Sequence, residues 1–344
     1  MHKCLDCPEM IETRVKRCRP CFNKWTAEHK QKKEDKNLII TPDDLFNQIV
    51  PILRKNMVEV PYIKPDFRNK KEETSVLLFG DPHIGMINEV YDSVKGNKSI
   101  TYNTEIRRAE TMNLIKSIYQ IHNIFSNGYR LEKLVIFMLG DIVTNDRIYE
   151  GQEFQIEECV GKQIIHAVPD LANTINQLKR VYKQITVVCV VGNHGRSTDN
   201  YMEEPVENNF EYHLYLGLEK IFAGDPRVKF IIPNTRDYSY KIYDHTFYIT
   251  HGDKFRGFTD NFIIKATKEL YVANPYDVLA FGHYHRSMKN DVNERAIYLM
   301  NGSWIPRDNY GFRVARTYSK PTQWFFGVNP KRSITWNFAI DLTK

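Results

Sequence analysis

Five short segments of the sequence combine acidic, amide and imidazole side chains, and five of the eleven histidines fall inside them. Two adjacent divalent cations need about seven oxygen and nitrogen donors, including a carboxylate that bridges them. The segments supply donors of these types, which indicates a site for two divalent cations. They are Gly80-Asp81-Pro82-His83, Gly140-Asp141, Gly192-Asn193-His194, Thr250-His251-Gly252-Asp253 and Gly282-His283-Tyr284-His285.

The spacing within the segments has a geometric reason. Alternate residues of an extended chain point the same way, so Asp81 and His83 can reach one metal together, as can His283 and His285. Apolar runs precede four segments and predict buried strands, and a glycine marks where each strand stops. The ligands are therefore expected at strand ends, where open α/β sheets place their sites. The predicted strands are 75–79, 134–139, 185–191 and 278–281.

The order of these motifs resembles that of the calcineurin-like metallophosphoesterase superfamily. The shared pattern is Asp-x-His, Gly-Asp, Gly-Asn-His, His and Gly-His-x-His, and it covers residues 75–305. A single Gly-His-x-His would be a weak signal, whereas five motifs in the correct order are a strong one. More narrowly, the chain resembles phage-encoded, SbcD-like phosphoesterases that are described as DNA repair exonucleases.

The resemblance implies a role for each motif residue. Asp141 would bridge both cations, whereas His194 would bind neither. His194 would instead face the phosphate and protonate the leaving oxygen or stabilise the developing charge, which suits an imidazole near neutral pH. The first metal would also be held by Asp81, His83 and His285, and the second by Asn193, His251 and His283.

The same donor set bears on the cofactor. Asp, Asn and His ligands together admit manganese, iron or zinc. A hydroxide shared by two such cations attacks phosphorus in line, and the cations neutralise the charge that builds on the oxygens. We therefore expect two divalent ions at the site, with manganese favoured.

The chain departs from the family pattern at two positions near His194. Many members carry an acidic residue directly after Gly-Asn-His, where this chain has Gly195, and another acidic residue where it has Thr144. Asp146 or Asp199 could orient the His194 imidazole instead.

Two arginines lie close to the motifs, namely Arg147 and Arg196. A guanidinium can hold a phosphate through two parallel hydrogen bonds, which would make them substrate-binding residues. An ordinary surface salt bridge is the alternative interpretation.

Four of the six cysteines lie in the first 21 residues, as Cys4-x-x-Cys7 and Cys18-x-x-Cys21. This spacing predicts a tetrahedral structural zinc site, whose metal would supply the folding energy of a segment with few apolar residues. Disulfide bonds are the alternative, but they require an oxidising environment that nothing in the sequence indicates.

The N-terminal 37 residues carry ten Lys or Arg and six Asp or Glu, and thus four of the six net positive charges. The basic cluster 14–19 and Trp25 suit a nucleic-acid partner, and a solvated face or a protein partner is the alternative. We expect a zinc-binding module over 1–30, a charged linker or helical connector over 31–72 and a metallophosphoesterase domain over 73–344.

Helices and strands alternate along the rest of the chain, which predicts an α/β fold. The expected architecture is a four-layer sandwich of two mixed β-sheets flanked by helices. Residues 323–332 interleave aromatic and basic side chains, and a hairpin that covers the core is favoured over a base-stacking surface. The predicted helices are 103–125, 154–183 with an interruption near Pro169, 204–222 and 261–272, and the further strands are 228–232, 238–243, 246–250 and 296–300.

Three functions are compatible with these features. A metal-dependent DNA nuclease is favoured. The second function, a phosphatase or phosphodiesterase of phosphoproteins, nucleotides or small messengers, would use the same metal ligands. The third is a DNA-binding scaffold with a vestigial site.

No apolar run reaches the ~18 residues of a membrane span, and the charged N-terminus is no signal peptide. We expect a cytoplasmic protein, in the host cytoplasm if it is encoded by a virus.

Overall fold

The structure is a computed structural model that describes residues 2–3, 5, 10–11, 19–26, 70–92, 96–198, 204–255, 257, 259–306 and 320–344. The chain divides into two compact units, Met1–Pro65 and Asp66–Lys344. In the first unit, a two-stranded antiparallel sheet precedes a helical segment over 19–26 that contains Cys21. The other cysteines of the predicted zinc site, Cys4, Cys7 and Cys18, lie outside the described residues, and the zinc module stays a prediction.

The described residues form fifteen strands. In chain order they are β1 (His2–Lys3), β2 (Met10–Ile11), β3 (Lys71–Phe79), β4 (Asn88–Asp92), β5 (Asn97–Tyr102), β6 (Tyr129–Met138), β7 (Gln184–Cys189), β8 (Val228–Ile231), β9 (Asp237–Ile242), β10 (His245–Thr250), β11 (Val278–Phe281), β12 (Met288–Asp291), β13 (Ile297–Met300), β14 (Thr322–Val328) and β15 (Asn337–Asp341).

Two larger sheets are built from eleven of these strands. The first has the order β15-β14-β3-β6-β7-β8, and the second has the order β12-β13-β11-β10-β9. In the first sheet β3, β6, β7 and β8 run parallel while β14 and β15 are antiparallel to their neighbours. In the second, β10, β11 and β13 are parallel and the outer strands antiparallel. Both sheets are therefore mixed, as the sequence predicted.

Among the described residues, four long helices cover these sheets: α1 (Thr104–Phe125), α2 (Val160–Leu178), α3 (Phe210–Ile221) and α4 (Asp260–Ala273). The apolar faces of α1, α2 and α3 share one core with β3, β6 and β7, while Ile263 of α4 packs with Leu279 and Phe281 of β11. A third core lies between the sheets, where the rings of Phe247 and Phe326 stack 6.1 Å apart. These layers confirm the predicted four-layer sandwich.

The structure corrects the predicted limits of β3. The strand begins at Lys71, four residues before the prediction, because a charged residue in it is buried with partners far along the chain. Glu73 is fully buried, and its carboxylate accepts hydrogen bonds from Trp336 Nε1 (2.8 Å) and Asn329 Nδ2 (3.3 Å). A charged run at the start of a strand gives no local sign of such pairing.

The second helix also differs from its prediction. Residues Gln152–Gln155 form a separate 3₁₀ helix, and α2 begins at Val160, whose amide donates to Asp146 Oδ2 at 2.8 Å. Pro169 lies inside α2 and does not interrupt it. A proline removes one helical hydrogen bond, which burial of Leu171 and Ile175 on the same helix offsets.

The aromatic tail segment covers the core. Trp324, Phe325 and Phe326 of β14 are all buried, and β14 pairs with both β3 and β15. The base-stacking alternative for these three rings is therefore wrong, and the favoured hairpin is what the structure shows. Within the part of the chain that the structure describes, no helix is long and apolar enough to cross a membrane.

Candidate metal centre

The predicted ligands follow the carboxyl ends of β3, β6, β7, β10 and β11, where the parallel strands of both sheets terminate. The backbone turns sharply at these positions. Among the described residues, seven non-glycine residues have positive φ, and five of them are predicted ligands, with φ between 42° and 68°. Such conformations are costly for residues with a Cβ atom and persist where the surroundings enforce them, often at functional sites. They are Asp81, His83, Asp141, His283 and His285.

The first cluster contains Asp81, His83 and His285, whose candidate ligand atoms all lie within 4.8 Å of one another. The two imidazoles are steeply inclined to each other, with an interplanar angle of 69°, and their Nε2 atoms lie 3.1 Å apart. Asp81 Oδ1 lies 3.6 Å from His285 Nε2, and Asp141 Oδ2 lies 4.0 Å from His83 Nε2. The structure thus brings together the four residues predicted for the first metal.

The second cluster contains Asp141, His251 and His283, again within 4.8 Å. The expectation that an extended chain brings His283 and His285 to one metal is therefore wrong, because both residues have positive φ and they lie in different clusters. His251 Nε2 lies 3.0 Å from Asp141 Oδ2 and 2.9 Å from Asn193 Oδ1. The other ring nitrogen of His251, Nδ1, lies 2.8 Å from the Leu139 carbonyl and can donate to it. In the neutral tautomer that makes this bond, Nε2 keeps its lone pair for a metal. Asp141 also lies within 4.8 Å of His83 and His194 through its candidate ligand atoms, so its carboxylate lies next to the first cluster as well and has the position that a bridging ligand needs.

The donor atoms fit cations. Asp81 is fully buried, and its Oδ2 atom has no hydrogen-bond partner among the described residues. Burial raises the pKa of Asp81 to about 7. Burial alone would lower the pKa of His251, but the charge and hydrogen bond of Asp141, together with the charges of Asp81 and Asp253, raise that pKa to about 10. A divalent cation among these lone pairs provides the positive charge that a proton on His251 otherwise supplies.

The backbone holds both carboxylates in place. The Asp81 Oδ1 atom accepts the His283 amide at 3.0 Å, and the Asp141 Oδ1 atom accepts the His194 amide at 2.8 Å. Asp141 also rests against Gly192, where an added Cβ would lie 2.1 Å from its Oδ1. A side chain at position 192 would therefore displace the Asp141 carboxylate.

His194 lies beside the clusters and is partly exposed. Its Nδ1 can donate to the Thr144 carbonyl oxygen, 2.8 Å away, and its Nε2 lies 3.9 Å from Asp141 Oδ2. Burial lowers the pKa of His194, and the nearby Asp141 charge acts in the opposite direction. A main-chain carbonyl thus orients this imidazole, where the family resemblance led us to expect an acidic side chain.

The structure explains the missing acidic residue at position 195. A Cβ atom on Gly195 would lie 2.1 Å from Asn209 Oδ1, so no side chain fits there. Of the two substitutes considered, Asp146 accepts the Val160 amide with Oδ2 and so binds the start of α2. Asp199 lies outside the described residues.

The two arginines differ in their surroundings. The Arg147 side chain is 90% exposed, and its Nε atom lies 3.9 Å from Asp146 Oδ1. Arg196 is buried, and its guanidinium donates to the carbonyls of Ile148 (3.1 Å) and Asn193 (3.4 Å). These bonds give Arg196 a structural role, and its predicted contact with substrate phosphate, like that of Arg147, stays a prediction.

Sequence reasoning missed Glu211, which is fully buried in the first turn of α3. Its Oε1 accepts the amides of Ile142 (2.5 Å) and Val143 (3.3 Å), and its Oε2 accepts the Gly192 amide (2.8 Å). Burial, and next the Asp141 charge, raise the Glu211 pKa to about 8. An acidic residue at a helix start is common, so no sequence signal marked it.

Tyr149 was missed as well. Its hydroxyl oxygen accepts a hydrogen bond from Asn193 Nδ2 at 2.6 Å, and its ring centroid lies 5.1 Å from that of His194. The ring also lines a cavity of about 250 Å³ that opens onto the site. The lining residues of the cavity are His83, Met86, Asn88, Asp141, Thr144, Tyr149, Glu150, Gly151, Gln152, Gln155, Asn193, His194, His283, His285 and Ile305.

Among solved structures, Vps29 from Entamoeba histolytica complexed with zinc is 12% identical over 74% of this chain and 87% of its own, with a TM-score of 0.35. A predicted phosphoesterase from Streptococcus pneumoniae is 9% identical over 78% and 98%, with a TM-score of 0.32. Vps29 from Cryptosporidium parvum is 12% identical over 78% and 100%, with a TM-score of 0.34. No curated protein sequence matches this chain.

The sandwich and its two clusters define a metal-dependent phosphoesterase. The sequence profile described as "Calcineurin-like phosphoesterase" matches residues 74–287. This match covers more than half of the sequence, and the chain belongs to the calcineurin-like phosphoesterase family. The family uses divalent metals, and the His and Asp clusters provide donors for them.

Proposed function

We propose that the protein hydrolyses phosphodiester bonds of DNA at a centre of two divalent cations. The observation that carries the proposal is the pair of clusters between which the Asp141 carboxylate lies, with His194 beside them at the edge of the cavity. The first cation would be held by Asp81, His83, Asp141 and His285, and the second by Asp141, Asn193, His251 and His283. When bound, the cations would activate a water molecule and neutralise charge on the phosphoryl oxygens.

The remaining chemistry belongs to His194. With Nδ1 on the Thr144 carbonyl, its Nε2 is the atom that can exchange a proton with substrate. In this role Nε2 protonates the leaving oxygen or donates a hydrogen bond to the charge that develops in the transition state. The partial exposure of His194 leaves Nε2 accessible from the cavity.

DNA is favoured as the substrate on two grounds that lie in the sequence. The chain as a whole resembles SbcD-like phosphoesterases that are described as DNA repair exonucleases, and the N-terminal 37 residues hold four of the six net positive charges. A zinc module at Cys4, Cys7, Cys18 and Cys21 would present these basic residues to phosphates or to a protein partner. A cytoplasmic location is part of this proposal, and manganese is its favoured metal, with iron or zinc as alternatives.

A phosphatase or phosphodiesterase of phosphoproteins, nucleotides or small messengers is the second candidate. It is supported by the cavity of about 250 Å³, whose walls include Met86 and Ile305, because a small ester can be buried there. The third candidate, a scaffold with a vestigial site, is disfavoured because a structural role does not require seven metal donors.

A panel of substrates tests the proposal. The purified protein is loaded with manganese, iron or zinc and assayed on single-stranded DNA, duplex DNA, RNA and a chromogenic phosphodiester. We expect hydrolysis of the chromogenic ester and of DNA, and none by Asp141→Asn. Hydrolysis of the small esters without cleavage of DNA would favour the second candidate, and inactivity with every metal would overturn both.

A further inference from the structure

The hydroxyl group of Tyr149 occupies an unusual position beside the metal centre. Tyr149 lies between β6 and the 3₁₀ helix Gln152–Gln155, and 44% of the residue is exposed. Its ring stacks on the Arg196 guanidinium, 4.7 Å from the ring centroid, and lines the cavity together with His194. A buried cation thus supports the ring from within while part of the side chain remains accessible from outside.

The hydrogen bonds of this hydroxyl leave its proton available. The hydroxyl oxygen accepts hydrogen bonds from Asn193 Nδ2 at 2.6 Å and from Arg196 Nη1 at 3.3 Å. Amide and guanidinium nitrogens can only donate, so both bonds use lone pairs of the phenol oxygen. No acceptor for the phenol proton occurs among the described residues. The proton must therefore point away from Asn193 and Arg196.

The position of the hydroxyl relates it to the substrate. The Asn193 side chain donates a hydrogen bond from Nδ2 to the Tyr149 hydroxyl, and its Oδ1 atom is the predicted ligand of the second metal. The Tyr149 oxygen is thus separated from that metal position by the width of one amide group. A phosphoryl group bound between the metals and His194 would have its non-bridging oxygens in this region.

We propose that Tyr149 donates a hydrogen bond from its hydroxyl to a non-bridging oxygen of the substrate phosphoryl group. This inference rests on the proposed function, and it adds a substrate-binding residue that no metal ligand motif contains. A phenol hydroxyl has one O–H donor, and both of its observed bonds leave that donor free to bind an acceptor. Because negative charge on phosphoryl oxygens must be stabilised during hydrolysis, a preorganised donor there favours the reaction.

The alternative is that Tyr149 only orients the Asn193 amide. The variant Tyr149→Phe separates the two roles, since it keeps the ring over Arg196 and removes only the hydroxyl. Tyr91→Phe is the matched control, because Tyr91 is 62% exposed on β4 and belongs to no part of the site. Three quantities are measured for each protein: bound metal by elemental analysis, the Kd of inorganic phosphate by calorimetry of the manganese-loaded form, and kcat on a chromogenic phosphodiester.

For Tyr149→Phe we expect two bound metals, a phosphate Kd weakened roughly tenfold or more and a similar fall in kcat, as for a lost hydrogen bond to a charged group. Tyr91→Phe should match the wild type. An unchanged phosphate Kd in Tyr149→Phe would overturn the inference. Loss of one metal, with phosphate affinity restored by excess manganese, would also overturn it in favour of the orienting role. If the wild type binds phosphate but cleaves no ester, the proposed function fails while the phosphate Kd still tests Tyr149.

Discussion

Glu211 Oε2 lies 2.8 Å from the amide nitrogen of Gly192, the residue against which the Asp141 carboxylate packs. Its other carboxylate oxygen accepts the amides of Ile142 and Val143, directly after Asp141. One buried side chain of α3 therefore connects the loop that carries Asp141 to the loop that carries Asn193 and so fixes the relative position of ligands from two strands.

Replacing Glu211 with Gln should loosen the metal centre. An amide has one oxygen, so its NH₂ group would face a backbone N–H donor, a buried mismatch that costs roughly 1–3 kcal/mol. We expect a lower Tm and weaker metal binding, measured by thermal unfolding and elemental analysis. Glu219→Gln, at an exposed position of the same helix, is the control. Two full metals and an unchanged Tm in Glu211→Gln would contradict the connecting role.

Asp141→Asn tests the bridging carboxylate. The substitution removes one negative charge where both clusters meet, and it keeps an oxygen that can accept the His194 amide. We therefore expect a folded protein that has lost metal and detectable activity. Circular dichroism and elemental analysis measure the two properties, with Asp244→Asn at an exposed turn as the control. Two metals retained at the site would show that Asp141 does not bridge them.

His194→Gln separates proton transfer from metal binding. If His194 is an acid or charge stabiliser, the variant should keep both metals and turn over roughly a hundredfold more slowly. Esters with good leaving groups need little protonation and should be affected less. Turnover is compared across a series of chromogenic esters of graded leaving-group pKa. Equal slowing across the series would argue against the acid role and leave charge stabilisation.

Glu110 on α1 should make stability depend on pH. It is 4% exposed, and burial, followed by the Asp341 charge, raises its pKa to about 8. In the unfolded chain a glutamate has a pKa of about 4.3, so the folded state binds the Glu110 proton more tightly than the unfolded state does. The free energy of unfolding that this proton contributes is complete below pH ~4.3 and is lost as the pH rises through 8. The side chain of the Glu110→Gln variant stays neutral at every pH. The Tm of this variant relative to the Tm of the wild type should therefore increase between pH 5 and pH 9. Thermal unfolding measured across this pH range tests the prediction, with Glu105→Gln at an exposed position as the control. Parallel curves of Tm against pH for the wild type and Glu110→Gln would contradict the prediction.

The N-terminal module should be dispensable for chemistry. It supplies none of the predicted ligands, so removal of residues 1–37, or replacement of Cys18 and Cys21 with Ser, should leave hydrolysis of a small chromogenic diester largely intact. If the module holds DNA, the same changes should weaken DNA binding and flatten its salt dependence, because phosphate contacts are lost. Salt titrations of DNA affinity make the comparison. Identical affinities and slopes would favour a protein partner.

The local sequence was sufficient to predict the layered fold and the set of residues that come together at the site. Buried parallel strands appear as apolar runs, and the residues that follow them must gather where the strands end. For this reason the ends of β3 and β11, next to Asp81 and His283, were predicted correctly. The start of β3 was predicted wrongly, because Glu73 is stabilised inside the sheet by Trp336 and Asn329, which lie more than 250 residues away in the sequence.

The sequence by itself determined which side chains could bind two metals, because ligand type and strand-end position are local properties. Only the tertiary structure decided how they are held. The Thr144 carbonyl orients His194, Glu211 connects two ligand loops, and Asn209 excludes a side chain from position 195. Each of these contacts joins residues that lie on separate loops or helices. Such contacts arise when the sheets and helices pack, and their geometry leaves no periodic trace in the sequence.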